Sequence, residues 1–191
     1  MTGRTHDLAA FTLLNIVFIL IPTPSMTVAT AIGGLGGCFV GGLFPDIDQP
    51  TADLYRRFPA GNVFGRIIAP ILGSHRLISH SIVGIVAIGY CMNLFLQKLG
   101  TIVLIDMYVV WWTFMIGFLS HVFMDMLTRD GVPLLFPFPW KFGIPPIARL
   151  RMKTGGIMEK GIIFPGLMLL NGFMVYQYHA MYLSFFKQYI H

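Results

Sequence analysis

The sequence predicts an all-α integral membrane protein with about five transmembrane helices. Hydrophobic residues make up 55% of the 191 residues and charged residues only 11%, whereas a soluble domain is usually about 25% charged. So few charges cannot cover a water-facing surface, and lipid must therefore surround most of the chain. Apolar runs recur along its whole length, without an internal repeat. We expect one membrane-embedded domain over residues 1–191.

Five apolar runs give the predicted spans. The first run is short, and Pro22 and Pro24 are expected to separate it from the second; one kinked helix continuing past Pro24 stays open as an alternative. In the second run, Gly33, Gly37 and Gly41 have the small-xxx-small spacing that lets another helix approach closely. The predicted spans cover residues 8–21, 26–44, 80–99, 102–127 and 161–186.

Two connections between these spans are expected to lie in the membrane interface. Residues 45–79, between spans 2 and 3, contain an apolar piece at 67–72 that is too short to cross a bilayer, so we expect an interfacial or re-entrant segment. Residues 131–147, between spans 4 and 5, alternate prolines with aromatic residues. Such a stretch resists regular helix and suits the headgroup region, where aromatic rings are enriched.

The polar residues gather at one membrane face when five spans are threaded alternately through the bilayer. Eleven of the thirteen Lys and Arg residues fall on the N-terminal side, and the positive-inside rule makes that side cytoplasmic. The N-terminus is then cytoplasmic and the C-terminus outside, and the positive net charge indicates topology rather than nucleic acid. The candidate functional residues on this side are His6, Asp46, Asp48, His75, Arg76, His80, His121, Asp125 and Glu159.

Two short motifs on this side have the spacing of metal ligands. His121 and Asp125 are four residues apart and share one helix face, although a His–Asp pair that packs helices would look the same. Asp46 and Asp48 follow span 2 and could face one Mg²⁺, Mn²⁺ or Zn²⁺ ion. The alternative for the two aspartates is a solvated loop or a helix C-terminus. We prefer ligands because ionisable residues near membrane spans are costly and usually functional.

A second group of candidates surrounds the start of span 3. Ser79 is expected to cap this helix and to place His80 in its first turn. His75 and His80 could bind a metal, and Arg76 between them could bind an anionic group such as a phosphate. Either histidine alone could instead be an interfacial polar residue.

Glu159 and His6 are weaker candidates. Glu159 is the only glutamate of the chain and could bind a metal or act as a general base. It could equally be a carboxylate that the dipole favours at a helix N-terminus. His6 is as compatible with an interfacial position as with a metal ligand.

The ordered series of motifs resembles the YdjM-like family, which comprises small bacterial and archaeal membrane proteins described as LexA-binding, inner-membrane-associated, metal-dependent hydrolases. The resemblance extends over nearly the whole chain. The matching segments are Thr5-His6, Leu43 to Pro50, His75-Arg76, His80-Ser81, Ser120-His121, Asp125, Leu127-Thr128, Gly131-Val132 and Gly155-Gly156 with Glu159.

This resemblance implies a single hydrolase-like domain in the bacterial or archaeal inner membrane, with zinc as the first choice of metal and Mn or Mg as alternatives. The implied substrate is a phospholipid or another lipid-linked phosphoester. In this hypothesis Asp48 or Glu159 accepts a proton, and Arg76, Arg149 and Arg151 bind the anionic headgroup. Besides membrane lipids, a cytoplasmic regulatory protein is a possible partner.

Two other functions stay open. A non-catalytic regulatory or structural membrane protein could dock a cytoplasmic partner without using the polar cluster for chemistry. A transporter is disfavoured, because transporters place their sites near the bilayer midplane and these candidate ligands gather at one face.

Overall fold

The structure, a computed structural model, describes residues 1–21, 26–49, 55, 78–138 and 140–187. Within these ranges the regular structure is helical, and the two β-bridges there are isolated pairs. The all-α fold is therefore confirmed. The α-helices in chain order are α1, Gly3–Leu20; α2, Val28–Leu43; α3, Ile82–Leu99; α4, Met107–Met126; α5, Phe164–Gln177; and α6, His179–Lys187.

Three described segments are long and apolar enough to cross a membrane, namely Val28–Asp48, Ile82–Leu99 and Met107–Met126. Glu159–Gln177 and His179–Lys187 pass the same test together, but a bend of 68° separates them. Predicted span 5 is thus divided near Tyr178. Helix α1 takes the place of predicted span 1, and polar residues in its first turns lower its hydropathy.

Side-chain caps fix the starts of three helices. Thr27 Oγ1 accepts from Thr30 N at 3.1 Å at the start of α2, and Asp106 Oδ1 accepts from Tyr108 N at 2.9 Å at the start of α4. For α3 the predicted cap Ser79 is wrong, because Ser81 caps the helix instead. The shift of two residues leaves His80 in the turn that precedes α3.

Glycines bring α2 and α4 into close contact. A Cβ atom on Gly41 would lie 2.0 Å from the carbonyl oxygen of Phe114, and one on Gly117 would lie 2.0 Å from that of Cys38. Only glycine fits at these two positions, so the close approach predicted from the glycine spacing in α2 is confirmed. As a result the end of α2 is held against the last turns of α4.

Polar side chains join α1 to α5 inside the apolar bundle. Asn15 Nδ2 donates to Asn171 Oδ1 at 2.7 Å, and Asn171 Nδ2 donates to Thr12 Oγ1 at 2.7 Å. All three side chains are buried. Lipid tails are as apolar as the helix surfaces, so the hydrophobic effect does not drive membrane helices together. Hydrogen bonds between helices, such as these, stabilise the contact instead.

The segment between α4 and the π-helical turn Glu159–Ile163 is ordered without long helices, as the sequence predicts. Val132 and Phe142 exchange two backbone hydrogen bonds of 2.8 Å, and Met152 pairs with the chain after α4. The buried Val132 packs in a core with Phe114 and Phe118. For residues 45–79, the predicted re-entrant piece at 67–72 lies outside the described residues.

Candidate metal centre

The last turns of α4 supply two members of a buried polar cluster. His121 and Asp125 lie one helical turn apart, and both side chains are completely buried. Their shared helix face, predicted from the spacing, is therefore what the structure shows. His121 Nε2 lies 3.8 Å from Asp125 Oδ2.

The end of α2 brings a second carboxylate to this pair. Pro45 occupies an early position of the 3-10 turn Phe44–Asp48, which continues α2 without a break. Because Gly41 and Gly117 hold α2 against α4, this turn places Asp46 Oδ1 3.6 Å from His121 Nε2. The Asp46 side chain is 24% exposed, and it is the one member of the cluster that is reached from outside.

His80 completes the cluster from the turn before α3. Its Nε2 lies 3.5 Å from Asp125 Oδ2 and 4.0 Å from Asp46 Oδ1. Burial lowers the pKa of His80 below its ordinary value, although the contact with Asp125 works in the opposite direction. The imidazole is therefore neutral near pH 7, which is the form that binds metals.

Four donor atoms, one each from Asp46, His80, His121 and Asp125, lie within 4.8 Å of one another. Ligand distances of about 2.0–2.1 Å in a tetrahedral zinc site place the donors about 3.3 Å apart. The observed nitrogen–oxygen separations of 3.5–4.0 Å are slightly wider. All four donors lie within 4.8 Å of one another, so the cluster could hold a metal ion if the donors move closer together around it.

A backbone carbonyl sets the tautomer of His121. Its Nδ1 lies 2.7 Å from the carbonyl oxygen of Gly42, which can only accept a hydrogen bond. Nδ1 therefore carries the proton, and the lone pair of Nε2 points at the cluster. This is the outer-shell arrangement that metal-binding histidines usually show.

A side-chain relay sets the tautomer of His80 in the same way. Ser79 Oγ donates to Asp48 Oδ2 at 2.8 Å and lies 2.9 Å from His80 Nδ1. Since the serine proton is directed at the carboxylate, Nδ1 of His80 donates to Ser79 and Nε2 is left as the acceptor. Asp48, predicted as a ligand or base, thus lies behind His80 and is not one of the four grouped donors.

His6 lies beside the cluster. Its ring stacks on His121, with centroids 3.6 Å apart and an angle of 9° between the planes, and its Nε2 is 3.4 Å from Asp125 Oδ1. The α-amino nitrogen of Met1 approaches the same oxygen at 2.6 Å. One oxygen of Asp125 therefore faces α1, and the other faces His80 and His121.

The chemistry of the cluster fits a divalent cation. Asp46 Oδ1 and His121 Nε2 are buried and have no hydrogen-bond partner within the described residues. Two carboxylates close together in a buried place repel each other, and a cation relieves this cost. Two imidazoles with two carboxylates suit Zn, Mn or Fe better than Mg or Ca, which prefer oxygen ligands alone.

Glu159 is buried in a different environment. Its Oε1 accepts hydrogen bonds from Thr2 N, Thr2 Oγ1 and Thr5 Oγ1, and its Oε2 accepts one from Gly155 N, all at 2.7–2.8 Å. Glu159 is not one of the four grouped donors. It ties the start of α1 to the turn before α5.

The predicted anion-binding arginines have different surroundings. Arg151 is buried and donates to the carbonyl oxygens of Pro145 and Pro146 at 2.7 Å each, so its guanidinium supports the backbone. Arg149 is exposed and lines an open pocket with Arg129. His75 and Arg76, predicted as a ligand and as a substrate-binding and catalytic residue, lie outside the described residues.

Sequence reasoning missed the outer-shell roles of Ser79 and of the Gly42 carbonyl, and it missed the threonines that bind Glu159. A Ser-His pair next to a helix start gives a weak signal for Ser79. A backbone carbonyl leaves no signal in the residue type. Thr2 and Thr5 are more than 150 residues from Glu159, so no local pattern connects them.

These features define a membrane protein with a bundle of apolar helices and a buried His/Asp cluster at one end. The chain matches the family described as YdjM inner membrane protein over residues 1–184. It belongs to this family, as the order of its motifs predicted, and the inner-membrane location is thereby confirmed.

Individual relatives agree with this assignment. Uncharacterized protein YvsG of Bacillus subtilis is 27% identical over 179 residues, which are 92% of this chain and 95% of that protein. Inner membrane protein YdjM of Escherichia coli is 33% identical over 108 residues, which are 54% of this chain and 48% of that protein. The latter match thus spans about half of each chain. No solved structure matches the chain significantly.

Proposed function

We propose that this protein is a membrane-bound, metal-dependent hydrolase that acts on a phospholipid or another lipid-linked phosphoester at the cytoplasmic face. The observation that carries the proposal is the buried group of two histidines and two aspartates, which come from three separate parts of the chain. Outer-shell contacts at Nδ1 leave Nε2 of both histidines as an acceptor. Such preparation is typical of a metal site.

In this proposal Asp46, His80, His121 and Asp125 hold a divalent ion, with zinc favoured by the two imidazoles. A bound divalent metal supplies Lewis acidity to a phosphoryl or acyl oxygen and to a water molecule. A substrate would approach on the side of Asp46, because the other three donors are completely buried.

The other predicted roles follow from what each residue contacts. Asp48 orients His80 through Ser79, and its role as proton acceptor requires direct access to a water molecule at the cluster, since a metal-bound His80 cannot relay a proton. The oxygens of Glu159 are engaged with α1 and Gly155. Of the predicted substrate-binding arginines, Arg76 remains the proposed headgroup ligand, since Arg149 lines a separate pocket with Arg129.

A second candidate function is supported by the number of protein donors in the cluster, which is four. Four protein donors are the usual number in structural zinc sites, whereas catalytic sites keep one position open. A structural metal would suit a non-catalytic membrane protein that docks a cytoplasmic regulatory partner. Transport is less well supported, because the donors lie at helix ends.

Metal analysis of the purified full-length protein, combined with a hydrolysis screen on phospholipids and soluble phosphoesters, tests the proposal. We expect about one divalent ion per chain and activity that the Asp46→Ala/His121→Ala variant loses. His179→Ala removes an exposed histidine far from the cluster in the chain and serves as the control. Absence of metal would contradict both candidates, and bound metal without hydrolysis would favour the structural one.

A further inference from the structure

A second polar feature lies beyond the end of α4, apart from the four grouped donors. Arg129, Ala148 and Arg149 line an open pocket of about 400 Å³, and both arginines are exposed. In the described part of the chain, neither guanidinium forms an ion pair with a carboxylate. Two unpaired arginines at one pocket point to an anionic ligand.

The backbone holds both arginines in fixed places. Arg129 N donates to Met152 O at 2.9 Å, and Arg129 Nε approaches Arg151 O at 3.3 Å. Arg149 lies in the 3-10 turn Ala148–Leu150, which follows the two prolines whose carbonyls Arg151 binds. The buried Arg151 therefore supports the turn that carries the exposed Arg149.

Large apolar side chains close to the pocket residues in the chain are exposed. Ile147 is 60% exposed and Leu150 is 65% exposed, on either side of Arg149 in the chain, and Trp140 is 63% exposed. Large exposed apolar side chains beside cations, outside any long helix, fit neither bulk water nor the hydrocarbon core. They suit the headgroup level of a bilayer, where charged ends stay hydrated and apolar parts enter lipid.

The charge of this segment agrees with a lipid surface. Residues 129–158 contain five cations and one acid, Asp130. Such an excess attracts anionic lipids when it lies close to the membrane. Because α4 ends at Met126, only three residues before Arg129, the pocket lies where this membrane span ends.

We infer that Arg129 and Arg149 bind the phosphate group of an anionic phospholipid from the surrounding leaflet, with Ile147 and Leu150 against its acyl region. Guanidinium groups bind phosphate oxygens through paired, charge-assisted hydrogen bonds, which distinguishes this pocket from a diffuse basic surface. The inference goes beyond the proposed hydrolysis, since it requires neither a metal nor turnover, and the lipid bound there is not taken to be the substrate.

Native mass spectrometry of the detergent-purified full chain, titrated with phosphatidylglycerol or phosphatidylcholine, tests the inference. We expect phosphatidylglycerol to bind in preference, and Arg129→Gln/Arg149→Gln to weaken that binding about 30-fold. Lys98→Gln/Lys187→Gln removes the same charge from the end of α3 and from α6, far from the pocket in the chain. This control should bind phosphatidylglycerol like the unchanged protein.

Three results would overturn the inference. They are equal binding by the double arginine variant, equal weakening in the lysine control, and displacement of the lipid by millimolar inorganic phosphate, which would indicate a site for free phosphate. Should the double variant fold poorly, Arg149→Gln alone changes an exposed side chain and must still weaken binding. Chelation of metal should leave lipid binding intact, so this test can fail without the proposed hydrolase failing.

Discussion

Glu159 and Asp125 are buried carboxylates that both contact residues at the start of the chain, and they differ in what else surrounds them. Glu159 has four hydrogen-bond donors around its two oxygens. Asp46 and Asp125 instead face imidazoles that other groups have prepared as acceptors. Glu159 and Asp125 are both buried, yet among the described residues only Asp125 belongs to a cluster that could hold a cation.

The comparison shows that burial alone does not identify a metal ligand. A buried carboxylate needs partners that compensate its charge, and donors from the protein satisfy that need at Glu159. At the His/Asp cluster the Met1 ammonium compensates one oxygen of Asp125, while His80 and His121 direct lone pairs toward its other oxygen and toward Asp46, where a cation could compensate the charge. The hydrogen-bond donors that the protein supplies to a buried carboxylate therefore distinguish a structural carboxylate from a candidate metal ligand.

The largest expected effect comes from replacing Asp125 by asparagine, which keeps the shape of the side chain and removes its charge. We expect metal affinity to fall more than about 100-fold, beyond the usual cost of losing an outer-shell partner. Metal titration of the purified protein measures this. Asp106→Asn is the matched control, since asparagine caps a helix as well as aspartate does. Equal affinity in both variants would contradict the assignment of Asp125.

Replacing Glu159 by glutamine should lower the stability of the protein and leave metal binding unchanged, unlike the replacement of Asp125. The amide offers an N–H group where Gly155 N needs an acceptor, so we expect the free energy of unfolding to fall by about 2 kcal/mol. Metal content should stay unchanged. Unfolding in mixed micelles and metal analysis of the same preparation measure the two quantities. Loss of metal without loss of stability would show that Glu159 belongs to the site after all.

The smallest of the three effects is expected for Ser79→Ala, which interrupts the relay between Asp48 and His80. His80 then loses the partner that fixes its tautomer, and metal affinity should fall about tenfold. Cobalt substitution, followed by visible absorption of the bound ion, reports both affinity and geometry. Ser79→Thr keeps the hydroxyl and should restore most of the binding. Ser81→Ala removes the cap of α3 and should lower stability while leaving the affinity near its original value.

Much of the fold and part of the site could be predicted because their signals are local. The four-residue spacing of His121 and Asp125 places them on one helix face whatever surrounds the helix. The position of Asp46 at the end of an apolar run places it at a membrane face. Alternation of spans then brings both groups to the same side.

The remaining features depend on contacts between distant parts of the chain. Whether Glu159 binds a metal is decided by Thr2 and Thr5, which lie at the other end of the sequence. The role of Arg151 is decided by carbonyl groups, which every residue possesses. The place of His80 depends on which of two nearby serines caps α3, and local sequence allows either.

The glycine contact between α2 and α4 helps to set the spacing of the donors in the candidate metal centre, although the contact itself lies within a membrane span. Gly117 precedes His121 by four residues, which is about 6 Å along a helix. Alanine at Gly117 would collide with the backbone at Cys38, and α2 would have to move away, taking Asp46 with it. The distance from Asp46 to His121 and Asp125 would then be too long for a small ion, although none of these three residues had been replaced. If the cluster holds a metal ion, the closeness of α2 and α4 would thus help to set which ionic radius fits.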